Sequence, residues 1–412
     1  MEPHSHAVAC ALFALLALVP GAAAHGALPG VTELRTAPEK IADVVLDKLV
    51  GARVAAADVV ALGETVHGSS GLLRAQARFI RYLVEKHGFR LIVWENPTLR
   101  SVELARWVDS CRKAKSPPPL DVLYMPTPSD APLFEWICDF NLARPADAIV
   151  FRGMDIWDRP WAHYAIVKDA AALCPAYRSK SWKEVDEVTA QVQPNGTMFP
   201  ASEYEACRAA LAKVMDAARQ SRDHELALSA STLLGWLGFH HDQWSDDVRS
   251  WNARDAAQAR NLEIIMEKHA AKRAILSAHT SHVSHNRSRA DWWGYGDLKS
   301  GVYFFEAATK RTVFNVAFTA YEASGTQGPW SLPTARNSMD RKLQEAGHAF
   351  AFVPADAPFL AEHPRWWMQN QNYPGPYESG VEIVPADHFD AFVFFGRSHL
   401  DRALPARPMW QP

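Results

Sequence analysis

Between Val59 and Pro97 the chain changes its hydrophobic period twice. Val59-Val60-Ala61-Leu62 is a short apolar run that stops at Gly63. Leu72, Leu73, Phe79, Ile80, Leu83 and Val84 then recur at helical spacing, and Gly88 closes that helix. Leu91-Ile92-Val93-Trp94 is a second apolar run, closed by Glu95, Asn96 and Pro97. A strand, a crossover helix and a second strand form a right-handed parallel unit, which points to an α/β fold with a mostly parallel central sheet flanked by helices.

The polar groups of this stretch fall at the strand ends. Glu64 and His67 follow the first strand and Glu95 ends the second. In open α/β sheets ligands bind at the carboxyl ends of the strands, so these groups are expected to share one crevice suited to proton transfer. The bland alternative is that Glu64 caps the helix and His67 is a satisfied turn residue.

Further strands repeat the pattern. A helix is expected over about Leu99–Ala114, then a Pro-rich loop from Ser116 to Pro132 that could rim a pocket, and a short helix over Leu133–Asn141. Ala148-Ile149-Val150-Phe151 reads as a third buried strand and delivers Asp155. From about residue 158 to 270 the chain is helical, with Ala201–Gln220, Glu225–Phe239 and Ala253–Lys268 in helical register. This reads as an insertion capping the crevice. Adjacent His240 and His241 point apart on a helix and read as surface residues. Ala274-Ile275-Leu276-Ser277 is the next strand and leads into His279 and His282. Val302–Phe305, Val313–Phe318 and Phe389–Phe395 read as later strands.

A net charge of −3 and no cluster of Lys and Arg argue against nucleic acid as a partner. Ala7 to Val19 is apolar but short for a bilayer, and Ala22-Ala23-Ala24 offers a cleavage site. Residues 1–24 therefore read as a signal peptide, residues 25–412 as one exported domain, secreted or periplasmic, with no stable membrane association after cleavage. Cleavage removes Cys10 and leaves four cysteines, with Cys111–Cys138 and Cys174–Cys207 the expected disulfides from their proximity in sequence.

Gly63, Glu64, His67, Leu83, Val84, Glu85, Gly88, Phe89 and Glu95 together resemble the signature of the erythromycin esterase family. The resemblance continues through Gly153 and Asp155, the Trp251-Asn252-Ala253-Arg254-Asp255 helix start with Asp255 in its first turn, the Ala278-His279-Thr280-Ser281-His282 segment and the closing Phe389-Asp390-Ala391 strand. It implies a hydrolase acting on a small-molecule ester or lactone, such as a macrolide ring, without a covalent intermediate or a cofactor. His67 would activate water, Glu64 and Glu95 would orient His67 or the water, and His279 and His282 would polarise the carbonyl or steady the tetrahedral intermediate. Gln76, Asp155 and Arg254 would contact the substrate. Two positions depart from the pattern: Gly71 stands where the family often has Glu, and Gln76 where it has Arg. The same Glu and His residues could instead hold a divalent metal or serve a metal- or haem-binding exported protein. No Gly-x-Ser-x-Gly elbow is present.

Overall fold

The computed structural model of the chain describes residues 28–406 except 112–115, most of 159–199 (where His163, Ile166, Val167 and Cys174 are described), 244, 291, 293–295, 326–327, 332–336, 369, 371–379 and 401. The expected signal segment lies outside the described residues.

Eleven strands are described: β1 (Thr32–Glu33), β2 (Val59–Glu64), β3 (Leu91–Pro97), β4 (Val150–Asp155), β5 (Ala274–His279), β6 (Val313–Gly325), β7 (Gly328–Ser331), β8 (Phe350–Pro354), β9 (Trp366–Met368), β10 (Val381–Ile383) and β11 (Ala391–Ser398). The main sheet has the order β1-β8-β11-β6-β2-β5-β3-β4, with β7 on β6; β9 and β10 form a separate ribbon. From β11 to β4 every neighbouring pair is parallel, while β8, β1 and β7 join antiparallel. The sheet class read from the sequence is therefore the one observed.

Both faces of the sheet are covered, which is why its central strands read as unbroken apolar runs. Alternate side chains of β2 divide between the faces. Val60 and Leu62 pack with Leu72, Phe79, Ile80 and Leu83 of α1 (Ser70–His87). On that face too lie α2 (Ser101–Ser110), whose described part is shorter than expected, and α3 (Ala131–Ala143). Val59 and Ala61 face the other way. There the described helices between β4 and β5 are α4 (Ala201–Gln220), α5 (His224–Asp242) and α6 (Asp247–Lys268). Leu262, Ile265 and Met266 of α6 lie in the core of that face, so this helix flanks the sheet, and α5 and α4 pack in succession beyond it.

Three local expectations need correction. Val302–Phe305 is helical, within α7 (Gly301–Thr309). Ser300 caps it by accepting a bond from Tyr303 N at 2.9 Å, and Val302 and Phe305 are buried one turn apart, so capping and packing override the strand preference of the aromatic run. Asp255 is not in the first turn of its helix: α6 starts at Asp247, with Asp246 as its cap. His240 and His241 are not surface residues. His241 is buried and stacked on Tyr204 with ring centroids 3.9 Å apart, and burial pushes His240 down to about 4.

Cys111 and Cys138 form the expected disulfide. Cys174 and Cys207 are not joined. Their buried thiols lie in hydrogen-bond contact, and burial together with that contact lifts the Cys174 thiol well above its usual value, which opposes the thiolate that disulfide exchange needs.

Candidate active site

Strand register builds the site. Glu64 pairs with His279 across β2 and β5, and Trp94 pairs with Ser277 across β3 and β5. The β3–β4 register slips between Trp94 and Pro97, a bulge that re-aims Glu95. The turn Thr280–Val283 folds tightly over β2, because a Cβ on Gly63 would lie 2.5 Å from Val283 Cγ2. Only glycine at this position lets the segment bearing His282 approach so closely.

Four strand ends and α6 thus bring Glu64, His67, Glu95, Asp155, Arg254, Asp255, His279 and His282 into one connected group. His67 Nδ1 lies 2.7 Å from Glu64 Oε1, and the His67 and His279 rings are 5.0 Å apart. Burial works against a charged His67, but the bond to Glu64 and the nearby Glu95 charge outweigh it and hold its pKa above the usual 6.5. Burial raises the Glu64 carboxyl. Its Oε2 is buried without a hydrogen-bond partner among the described residues.

Glu95 is the hub beneath this pair. Oε1 accepts from Arg254 Nη2 at 2.8 Å and lies 3.1 Å from His282 Nε2, while Oε2 accepts from His279 N at 2.7 Å. Burial alone would raise it, yet His282, His67 and Arg254 hold Glu95 well below the carboxylate range. Arg254 also grips Asp155 with both arms, Nε to Oδ1 at 3.0 Å and Nη2 to Oδ2 at 2.7 Å. His282 Nδ1 donates to Asp255 Oδ1 at 2.8 Å. Burial opposes a charge on His282, but Asp255 and Glu95 prevail and push it up to about 10. Its Nε2 lies 3.1 Å from Glu95 Oε1 and is hydrogen-bonded to Arg254 Nη1 at 3.0 Å, where the guanidinium can only donate.

His279 is held in the opposite state. Burial and the charge of His67 push it well below 6.5. Nε2 donates to the Thr65 carbonyl at 3.2 Å and Nδ1 accepts from Ser281 Oγ and N at 2.8 and 3.3 Å. A neutral imidazole bonded at both nitrogens is placed to hold β2 against β5, not to polarise a carbonyl.

A cavity of about 30 Å³ opens beside the pair, lined among others by Glu64, His67, Trp94, Glu95, Tyr124 and Asp130. The Pro-rich loop does rim it, through Leu123, Tyr124 and Met125. The three residues expected to contact substrate do not line it. Arg254 and Asp155 are buried against each other, and Gln76, 1% exposed, turns Nε2 to the Leu62 carbonyl at 3.4 Å. The glycine departure has a packing cause: a Cβ on Gly71 would lie 2.6 Å from Ser398 Oγ, so a glutamate there would have to displace Ser398.

Sequence reasoning missed Asp130 and gave Asp255 no place in the site. Asp130 carried a detectable signal, since Thr127-Pro128-Ser129-Asp130 has capping-box spacing before an apolar helix. Asp255 carried none, because its link to His282 crosses between two elements. As for a metal, among the described residues no group of three or more His, Cys, Asp or Glu is arranged to hold one, and the strongest donors are spent on each other.

No curated protein matches the chain. Solved structures do. A Bacillus cereus protein shares 19% identity with a TM-score of 0.69, covering 92% of this chain and 97% of its own. A succinoglycan biosynthesis protein shares 16% at a TM-score of 0.68, covering 90% and 95%. A mutant of the erythromycin esterase EreC, in an open conformation, shares 17% at a TM-score of 0.63, covering 89% and 96%. These likenesses extend the fold over nearly the whole chain. A family profile described as erythromycin esterase matches residues 84–398, well over half of the sequence, and the chain belongs to the erythromycin esterase family.

Proposed function

We propose that this protein hydrolyses a carboxylic ester or lactone, a macrolide ring being one candidate, by attack of a water molecule activated at His67. Family membership and the likeness to EreC suggest a hydrolase as the class. One observation carries the finer reading: the unpartnered, buried Glu64 Oε2 belongs to a residue on the wall of a cavity of about 30 Å³. A space of this size holds one or two waters, and a polar wall with an unmet hydrogen-bond need favours their presence.

The chemistry follows from the pair. Glu64 engages Nδ1 of His67, so Nε2 takes the proton of the attacking water. The bond to Glu64 and the Glu95 charge stabilise the imidazolium that forms. Arg254, Asp155, His282 and Asp255 keep Glu95 ionised and fixed below it.

One contact favours a second, covalent reading. Ser281 Oγ is 2.8 Å from His279 Nδ1, a nucleophile–base distance. Ser281 does not line the cavity, however, and Ser277, which does, has no hydrogen bond to a histidine among the described residues. A panel of esters and lactones followed by intact-protein mass spectrometry during turnover separates the two. The expected result is hydrolysis with the protein mass unchanged; an acylated peptide containing Ser281 or Ser277 would overturn the water mechanism. Export, and with it an oxidising compartment, completes the reading and is supported by the Cys111–Cys138 disulfide.

A further inference from the structure

We infer that Asp130 is the general acid of this site, giving its proton to the departing alcohol oxygen as the tetrahedral intermediate collapses; this rests on the hydrolase reading above. Asp130 is 5% exposed and lines the same cavity as Glu64 and His67. It is fixed through one oxygen only: Thr127 N and Oγ1 both donate to Oδ2, at 2.8 and 3.0 Å. An oxygen that already accepts two hydrogen bonds is a poor place for a proton, so the acid proton sits on Oδ1, which has no hydrogen-bond partner among the described residues. The bland role is helix capping. Asp130 does cap, closing a capping box with Thr127 over the turn Pro128–Asp130, but only Oδ2 takes part in it and Oδ1 is left over.

The environment suits an acid. Burial pushes the Asp130 carboxyl up, the two Thr127 bonds oppose this, the Glu64 charge adds to it, and the outcome is about 7. Two ionisable partners with distinct duties then face one cavity: an imidazole that receives a proton and a carboxylic acid that gives one. As water attacks, its oxygen bonds the carbonyl carbon and its proton goes to His67. In collapse the carbon–alkoxide bond breaks, its electron pair stays on the leaving oxygen, and that oxygen takes the Asp130 proton. Acid and alcohol leave, and the imidazolium proton returns to the Asp130 carboxylate through solvent, which restores both groups.

Leaving-group dependence tests this. An ethyl ester and a 4-nitrophenyl ester of the same acid, one accepted by the enzyme, differ in how much the departing oxygen needs a proton. Asp130→Asn preserves an acceptor for Thr127 but cannot donate a proton as an acid does. It should lower the ethyl-to-nitrophenyl kcat ratio by about 10²–10⁴-fold, the usual weight of general-acid catalysis. An unchanged ratio, with both rates lowered alike or neither lowered, would overturn the inference, since a structural role moves both esters together. Should the variant not fold, the wild-type enzyme decides: kcat nearly independent of the leaving alcohol supports the acid, and a steep dependence contradicts it. Wild-type protein that cleaves no ester would instead remove the hydrolase reading itself.

Discussion

Replacing His67 with alanine is expected to reduce kcat for ester hydrolysis by about 10²–10⁴-fold, the span seen when a general base is lost. The fold should survive. His67 keeps 16% of its side chain exposed, and it bonds Glu64, which burial already inclines to the neutral form. With the imidazole gone, Glu64 can protonate and leaves no buried charge behind. Steady-state kinetics beside thermal unfolding checks both halves. A variant with full kcat would remove His67 from the mechanism, and one that fails to fold would make it structural.

Arg254→Met is the substitution with the largest expected cost to stability. Arg254 is 4% exposed, and its guanidinium lies over the rings of Trp157 and Trp251, at 5.4 and 5.5 Å. It is bonded to Asp155 and Glu95. Removing it leaves the buried Asp155 and Glu95 carboxylates without their cation, and breaking a buried pair on one side typically costs about 3–5 kcal/mol. Arg254→Lys would keep the charge but not the two-armed grip on Asp155, so it should recover only part of the loss. Denaturant unfolding near pH 7 measures both. A loss below about 1 kcal/mol for Arg254→Met, the level of an exposed pair, would mean that the network does not hold the sheet edge.

How far the sequence revealed this site depends on where each signal lay. The β2–α1–β3 unit was legible because both faces of the parallel sheet are buried, so its strands show as apolar runs, and because α1 has a regular apolar stripe ending at Gly88. Glu64, His67, Glu95, His279 and His282 were legible as polar residues at or just beyond the ends of such runs. Roles that depend on neighbours from other elements were not. Both histidines of the β5 end looked alike in sequence, yet Asp255 from α6 pushes the pKa of one up, while burial and the His67 charge push that of the other down. The misread strand at Val302–Phe305 has the same origin. Its helical state is set by the Ser300 cap and by packing against α6, neither of which a local apolar run reports.

The pH dependence of kcat/KM for one ester, in the wild type and in Glu64→Gln, reaches the central claim most directly, because kcat/KM follows the protonation of the free enzyme. A base must be neutral to accept a proton, so activity should appear as pH rises through the His67 value, which Glu64 and Glu95 hold above 6.5. Glutamine at position 64 removes the charge that stabilises the imidazolium and leaves only a neutral amide acceptor, so the acid limb should move to lower pH. An acid limb that stays in place, or moves to higher pH, would contradict a His67 base tuned by Glu64.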